Sequence, residues 1–275
     1  MNPIPPNTFS EIQQKLKEVE KEHDVEVLLA IESWSRAWGF ESKDSDFDIR
    51  FIYAHKIDYY LSIWKNRDVI DYPIVDLIDI NGWDLKKALQ LFQKGNPSFS
   101  EWIKSPIIYS QKSEFREKVL QIEDTYFSPI SHIFHYLSMG WRNYREYLKQ
   151  EPVKIKKYFY VLRPILACLW IDKNGTPPPM EFQKLYEDCE LISPELRNEI
   201  DELLKKKRSW VEMGKGNKIP ILNDFLEEQI TYIQNKAKKY NNNQIPTDIL
   251  DTVFRKYIPS DEKHTQNTWQ TPNNR

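Results

Sequence analysis

The sequence predicts an α+β fold, with a mixed sheet and flanking helices in the first half and an all-helical second half. Three observations carry this prediction. Apolar, β-favouring runs recur at residues 25–33 (VEVLLAIES), 46–54 (DFDIRFIYA) and 72–80 (YPIVDLIDI). Helical periodicity takes over after about residue 125 and persists through four long segments. The composition, 40% hydrophobic with 13% aromatic and 29% charged among 275 residues, is that of a folded chain with material for a large core.

The elements follow in order. Ser10 is a candidate N-cap, and Ile12, Leu16 and Val19 then recur at helical spacing through a charged segment ending near His23. Residues 25–33 read as a first strand. In 46–54, Phe47, Ile49, Phe51 and Tyr53 alternate with Asp46, Asp48, Arg50 and Ile52, so a second strand carries both aspartates on one face. Residues 72–80 read as a third strand, which Asn81-Gly82 turns into a helix with Leu85, Leu89 and Phe92 on one side. The helical half comprises SHIFHYLSMGWRNYREYLKQ, KIKKYFYVLRPILACLWIDK, SPELRNEIDELLKKKRSWVEM and IPILNDFLEEQITYIQNKAKKY. Between the second and third of these, GTPPPMEF (175–182) is a stiff loop, because its prolines fix φ and remove donors. The chain therefore divides into residues 1–125, residues 126–240 and a polar tail, 241–275, that is partly disordered.

Charge and cysteine usage narrow the function classes. A net charge of −2 supplies no global basic field for nucleic acid, so any such role must rest on a local patch. Cys168 and Cys189 are too few and too far apart for a disulfide framework or a thiolate zinc site. No apolar run reaches membrane-spanning length and the N-terminus lacks a signal peptide's apolar core, so the expectation is a cytoplasmic protein with no membrane partner.

The chemistry gathers around ESWSRAWGFESKDSDFDIR (32–50). Asp-x-Asp on a strand projects two hard anionic ligands together, which suits Mg²⁺ (or Mn²⁺) bound with water and substrate phosphate. A third carboxylate from a neighbouring strand completes a clamp for displacement at phosphorus. Asp76 and Asp79 are the candidates; they lie at opposite parities, and Asp79, beside the turn, is favoured. Ser33, Ser35 and Arg36 supply hydroxyls and a guanidinium for a phosphate where the first strand ends.

The string S-R-A-x-G, a polar turn, then D-S-D-x-D resembles the signature of the DNA polymerase β nucleotidyltransferase superfamily. ESWSRAWGFESKDSDFDIRFIY, DINGWDLKKALQLFQKGNPSFSEWI, NYREYL, KKYFYVLRPILACLWI and GTPPPMEF, in that order, are similar to the bacterial and phage RNA repair pathway DNA polymerase β family. The resemblance implies a polymerase β-like nucleotidyltransferase core at 1–125, a helical C-terminal domain at 126–240, Mg²⁺ and a nucleoside triphosphate. By position, Asp46 and Asp48 match the two metal-binding aspartates, Asp79 the third carboxylate and Ser35 the serine of a Gly-Ser pair. Trp34 falls where glycine is expected, so either the loop follows a different path or triphosphate binding is impaired.

The densest basic and aromatic stretch runs from Arg142 to Arg163, a candidate surface for triphosphate or RNA. Within it Lys157, Tyr160 and Arg163 share a helix face and are candidate nucleotide contacts. The run KKKR at 205–208 reads as solvated surface, and His132 and His135 read as packing residues rather than a metal pair. The expected function is transfer of a nucleoside monophosphate to a hydroxyl acceptor, with an RNA end as partner. The alternatives are a protein or small-molecule hydroxyl, and a non-catalytic nucleotide- or RNA-binding module.

Overall fold

The computed structural model describes residues 4–42, 45–112, 114–209, 214–237 and 248–259. Helix α1 (Pro6–His23) starts four residues before Ser10, because Pro6 at the first helical position has φ already set for a helix. Ile12, Leu16 and Val19 are buried on one of its faces, and Asp24 closes it in the left-handed conformation. Strand β1 (Val25–Glu32) then leads through the short α2 (Trp34–Ala37) to β2 (Phe47–His55). After α3 (Ile57–Tyr60), the predicted third strand is in fact a hairpin, β3 (Val69–Asp71) and β4 (Ile78–Asp84). Its turn holds Asp76 and Leu77 at φ 49° and 66°, the paired positive φ of a tight hairpin.

Asn81-Gly82 is not a turn. Both residues lie inside β4, and Gly82 is there because a Cβ would collide with the ring of Phe51, its register partner on β2. The helix start belongs to Asp84, whose carboxylate accepts from the Lys86 N–H at 2.8 Å and so caps α4 (Leu85–Gln93). Helix α5 (Pro97–Lys104), β5 (Ile108–Gln111), α6 (Phe115–Gln121) and α7 (Glu123–Tyr126) complete the first half.

The sheet order is β3-β4-β2-β1-β5, mixed, with β2 and β4 the parallel pair. One face packs on α1 through Val25, Val27, Ile49, Phe51 and Ile80; the other packs on α4 to α6 through Leu29, Ile31 and Ile52.

The second half is mostly helical: α8 (Pro129–Tyr147), α9 (Lys157–Asn174), α10 (Phe182–Asp188), α11 (Pro194–Arg208) and α12 (Pro220–Ala237). It departs from the all-helical expectation in a two-stranded ribbon, β6 (Val153–Lys154) with β7 (Lys215–Gly216). Pro164 lies inside α9, which continues through it, and Gly140 lets α8 approach so closely that a Cβ there would stand 3.1 Å from Ile165. Cys168 and Cys189 are free and buried. Among the described residues no helix is long and apolar enough to cross a membrane.

The tail contains one more element. Helix α13 (Asp248–Tyr257) folds back onto the first half, with Leu250 and Tyr257 buried in the core around α4 and α6. Its apolar residues are spaced for one helix face, which a polar average over 241–275 conceals. Residues 241–247 and 260–275 lie outside the described residues.

The halves meet at Arg163 of α9. Its fully buried guanidinium pairs with Glu101 of α5, lies 4.9 Å from the Trp38 ring centre and 5.2 Å from that of Tyr136, and donates to the Met180 carbonyl at 3.5 Å. Tyr136 donates to the same Glu101 carboxylate at 2.8 Å.

Candidate functional site

The parallel pairing of β2 and β4 makes Asp48 and Asp79 register partners, so the two carboxylates project side by side from one face. Asp46, two residues earlier, is exposed at the mouth of the same face. Asp76 sits in the exposed hairpin turn, away from this row. Burial pushes the Asp48 carboxyl up to about 6; Arg50 opposes that shift, and the charges of Asp79 and Asp46 add to it.

Two further residues shape the cluster, and the sequence reading assigned neither a role. Arg50 shares the face of Asp48, and its Nη2 donates to Asp79 Oδ2 at 2.7 Å and to Asp48 Oδ1 at 3.4 Å. Its Nη1 donates to the Ile49 and Asp79 carbonyls. The period-two alternation already placed Arg50 beside Asp48; only the neighbouring strand's register shows that it bridges to Asp79.

Glu32, at the end of β1, is fully buried. Its Oε1 accepts from the Asp48 N–H at 2.9 Å, and its other oxygen accepts from the Tyr109 hydroxyl. The Asp48 carbonyl in turn accepts from the Ser33 N–H at 2.9 Å, so the backbone of Asp48 is clamped from both sides. Burial pushes the Glu32 carboxyl up to about 7. A carboxylate closing the apolar run at residues 27–31 was the signal available in the sequence.

The loop before β2 answers the question that Trp34 posed. Trp34 has φ +51°, the left-handed conformation that glycine adopts readily and a tryptophan rarely does. The backbone thus keeps a path open to glycine, and the indole packs edge-on against Trp38 with ring centres 5.2 Å apart. Ser33 occupies the N-cap of α2 without a side-chain cap bond, and Ser35 is buried in its first turn.

Arg36 does not present a free guanidinium. Its Nη2 donates to the Ser45 carbonyl at 2.7 Å and its Nε to the Asp46 carbonyl at 3.2 Å, with Phe47's ring 4.0 Å beneath. It therefore positions the turn that carries Asp46, while its charge acts on Asp48 and Glu32. Arg163, the other arginine expected at the nucleotide, is fully buried in the interface with Glu101.

Lys157 and Tyr160 lie together on α9. The Tyr160 hydroxyl is pushed up by burial and then, more weakly, by the charges of Asp48 and Asp46, whose field it therefore feels. Lys157 Nζ lies 4.5 Å from the Tyr160 ring centre and 4.4 Å from that of Tyr147. His132 is buried, with Nδ1 3.0 Å from the Ser128 carbonyl oxygen, in the packing role expected of it.

Among the described residues no three carboxylate, histidine or cysteine side chains stand together as a ready metal cage. The donors that fit a hard divalent cation are Asp46 and Asp48: two carboxylates suffice where water and phosphate oxygens complete the shell, and a cation there would offset the burial and, after it, the carboxylate repulsion that raise the Asp48 carboxyl. Asp79 is committed to Arg50.

Comparison with known proteins identifies the family of the chain. The model of the RNA repair pathway DNA polymerase beta family (RlaP) matches residues 9–256. The chain is 46% identical over 228 residues to the uncharacterized protein YcgL of Bacillus subtilis (strain 168), covering 83% of this chain and 87% of that one. A nucleotidyltransferase-like protein from Exiguobacterium sibiricum 255-15 aligns over 82% of this chain and 78% of its own, with TM-score 0.30 and 10% identity, too distant to add weight. With nearly the whole described chain inside one family model, this protein belongs to the RNA repair pathway DNA polymerase beta family.

Proposed function

We propose that the chain transfers a nucleoside monophosphate from a nucleoside triphosphate to the hydroxyl of an RNA end. The observation that carries this reading is the row of Asp46, Asp48 and Asp79 on one face of a parallel strand pair, beside Tyr160 of the helical half. Family membership supports the nucleotidyl chemistry. The cations and rings of Arg142, Arg145, Lys154, Lys157, Trp141 and Tyr147 support RNA as the acceptor, because cations meet phosphates and rings stack on bases.

In this reading the acceptor oxygen attacks the α-phosphorus in line, the bond to the β-phosphate's bridging oxygen breaks, and pyrophosphate leaves. Families of this type use a divalent metal, and Mg²⁺ or Mn²⁺ held by Asp46 and Asp48 would supply charge neutralisation at the phosphates. The chain's own contribution is geometry. Glu32 and Ser33 fix the backbone of Asp48, Arg36 fixes the Asp46 turn, and Arg50 holds Asp79 in register. Ser33 and Ser35 supply hydroxyls to the phosphates, Lys157 supplies charge, and Tyr160 flanks the carboxylates.

Arg50 also favours a second reading, nucleotide or RNA binding without transfer, because a guanidinium already sits where Asp48 and Asp79 converge. One experiment separates the two. Each α-labelled nucleoside triphosphate is incubated with Mg²⁺ or Mn²⁺, a mixed RNA pool and protein, against an Asp46→Ala/Asp48→Ala control. Label in RNA that vanishes in the control supports transfer to RNA; label in protein moves the acceptor to a protein hydroxyl. Nucleotide binding with no transfer supports the second reading.

A further inference from the structure

The β3–β4 hairpin places a leucine where such turns take glycine. The Val75 N–H donates to the Ile78 carbonyl at 3.2 Å and the Ile78 N–H to the Val75 carbonyl at 2.8 Å. Between them Asp76 and Leu77 have φ 49° and 66°, the two-residue turn for which Asn-Gly or Asp-Gly is preferred. Asp76 suits the first position, but a bulky side chain at the second is an outlier. Burial does not offset the strain, since Leu77 is 45% exposed and its neighbours Ile74 and Val75 are 62% and 53% exposed. Three apolar side chains thus stand in solvent on one turn.

This apolar lip is tied to the segment that carries the aspartates. The Leu77 carbonyl accepts from the Phe47 N–H at 2.7 Å, and Phe47 lies between Asp46 and Asp48 in the chain. Asp79 follows Leu77 by two residues, about 7 Å of extended chain. Backbone strain held beside a functional site points to a use for the residue that bears it. Charge narrows what that use is. Residues 72–78 include Asp76 and no cation, so a phosphate gains nothing at the lip, whereas the uncharged face of a base can lie on its apolar side chains. The phosphates of the same RNA find their cations on the helical half, in Arg142, Arg145, Lys154 and Lys157.

We propose that Ile74, Val75 and Leu77 form a platform for the terminal base of the RNA acceptor. The base lies on the lip, out of its own stack, while the ribose hydroxyl it belongs to reaches the aspartates. An unpaired RNA end is then a better acceptor than a base-paired one, because it has no partner strand to leave. This assignment rests on the reading of the chain as a nucleotidyltransferase that acts on RNA.

Fluorescence polarisation tests it, with two 5′-labelled single-stranded RNA 12-mers titrated with wild type, Leu77→Gly and Leu191→Ser. One RNA ends in adenosine; the other is identical but lacks the base of its last nucleotide. Leu191, 57% exposed in the helical half, controls for loss of one exposed apolar side chain. Wild type and Leu191→Ser should bind the adenosine-ended RNA roughly fivefold tighter than the abasic one, the low end for one stacked base. Leu77→Gly, which suits the φ of the turn, should bind both RNAs at the abasic level; should it not fold, Ile74→Ser gives the same readout. Wild type that binds both RNAs equally or neither, or a Leu77→Gly that keeps the preference, would overturn the platform. So would a wild-type dimer in sedimentation that Leu77→Gly abolishes, which gives the lip to a second copy. Intact nucleotidyl transfer to RNA alongside any of these outcomes would leave the broader reading standing. A base preference that depends on Leu77, in a protein that transfers no nucleotide, would instead overturn the broader reading and keep the platform.

Discussion

Asp48 of β2 and Asp79 of β4 are register partners across a parallel strand pair, and one guanidinium, that of Arg50, reaches both. The arginine balances two carboxylates that would otherwise repel. Arg50→Ala should therefore cost about 1–3 kcal/mol in metal-free buffer, the usual loss for a charged hydrogen bond, and should recover more from added Mg²⁺ than wild type does. Thermal melts with and without Mg²⁺ check this; equal stabilisation of both proteins would rule it out.

Trp34 holds a left-handed backbone that costs a non-glycine residue about 1–2 kcal/mol, while its ring packs on Trp38. Trp34→Ala loses the packing and keeps the strain, whereas Trp34→Gly loses the packing and relieves it. Urea unfolding should find the glycine variant the more stable of the two by about 1 kcal/mol, although glycine is normally the more disruptive replacement. The reverse order would mean that the backbone at 34 is not strained.

Arg163 is a structural cation. Removing it leaves Glu101 beneath the interface without its partner, and breaking a buried pair from one side costs about 3–5 kcal/mol. Arg163→Leu should lower the unfolding free energy by that amount in urea titrations, and Arg163→Leu/Glu101→Gln should restore part of it. A double variant no better than the single one would show that the charge pair is not what holds the two halves.

His132 makes stability fall on acidification. Burial pushes its imidazole from 6.5 down to about 3, with a smaller push from Lys104 and a counteracting bond to the Ser128 carbonyl. Between those values the unfolded chain binds a proton that the folded one does not, so stability rises with pH across that window and is lost as pH drops below 6.5. Glu32, with its carboxyl raised to about 7, and Asp48, raised to about 6, have the opposite slope and together match or exceed the His132 effect between pH 5 and pH 7. The unfolding free energy at pH 7 minus that at pH 5, from urea titrations, should therefore be more positive in wild type than in His132→Gln, by up to about 1.4 kcal/mol per pH unit below 6.5.

Strand β2, α1 and the four long helices were legible because each is written in local periodicity, two for strands and 3.6 for helices; β4 was read six residues too early because its hairpin turn is itself apolar. Parity showed that only one of Asp76 and Asp79 could join the row; the preference for Asp79 rested on a turn at Asn81-Gly82 that the structure replaces with strand. What escaped depends on contacts distant in sequence. Asn81-Gly82 has the dipeptide chemistry of a turn, and only the Phe51 ring across the strand pair explains the glycine. Arg36 and Arg163 have the residue type of phosphate ligands, and only the partners they meet, Ser45 and Asp46 for one and Glu101 for the other, show that their donors are already engaged. Lys207, only 7% exposed, was hidden for the complementary reason: a run of four cations gives no local sign that one of them turns inward.

Helix α13 couples the far end of the described chain to the core of the first half. It docks Leu250 and Tyr257 against the sheet's own helices, with Tyr257 meeting Phe115 and Phe254 meeting Tyr60. A chain cut before Asp248 would therefore lose packing from the first half's core and not from the helical half that precedes the cut.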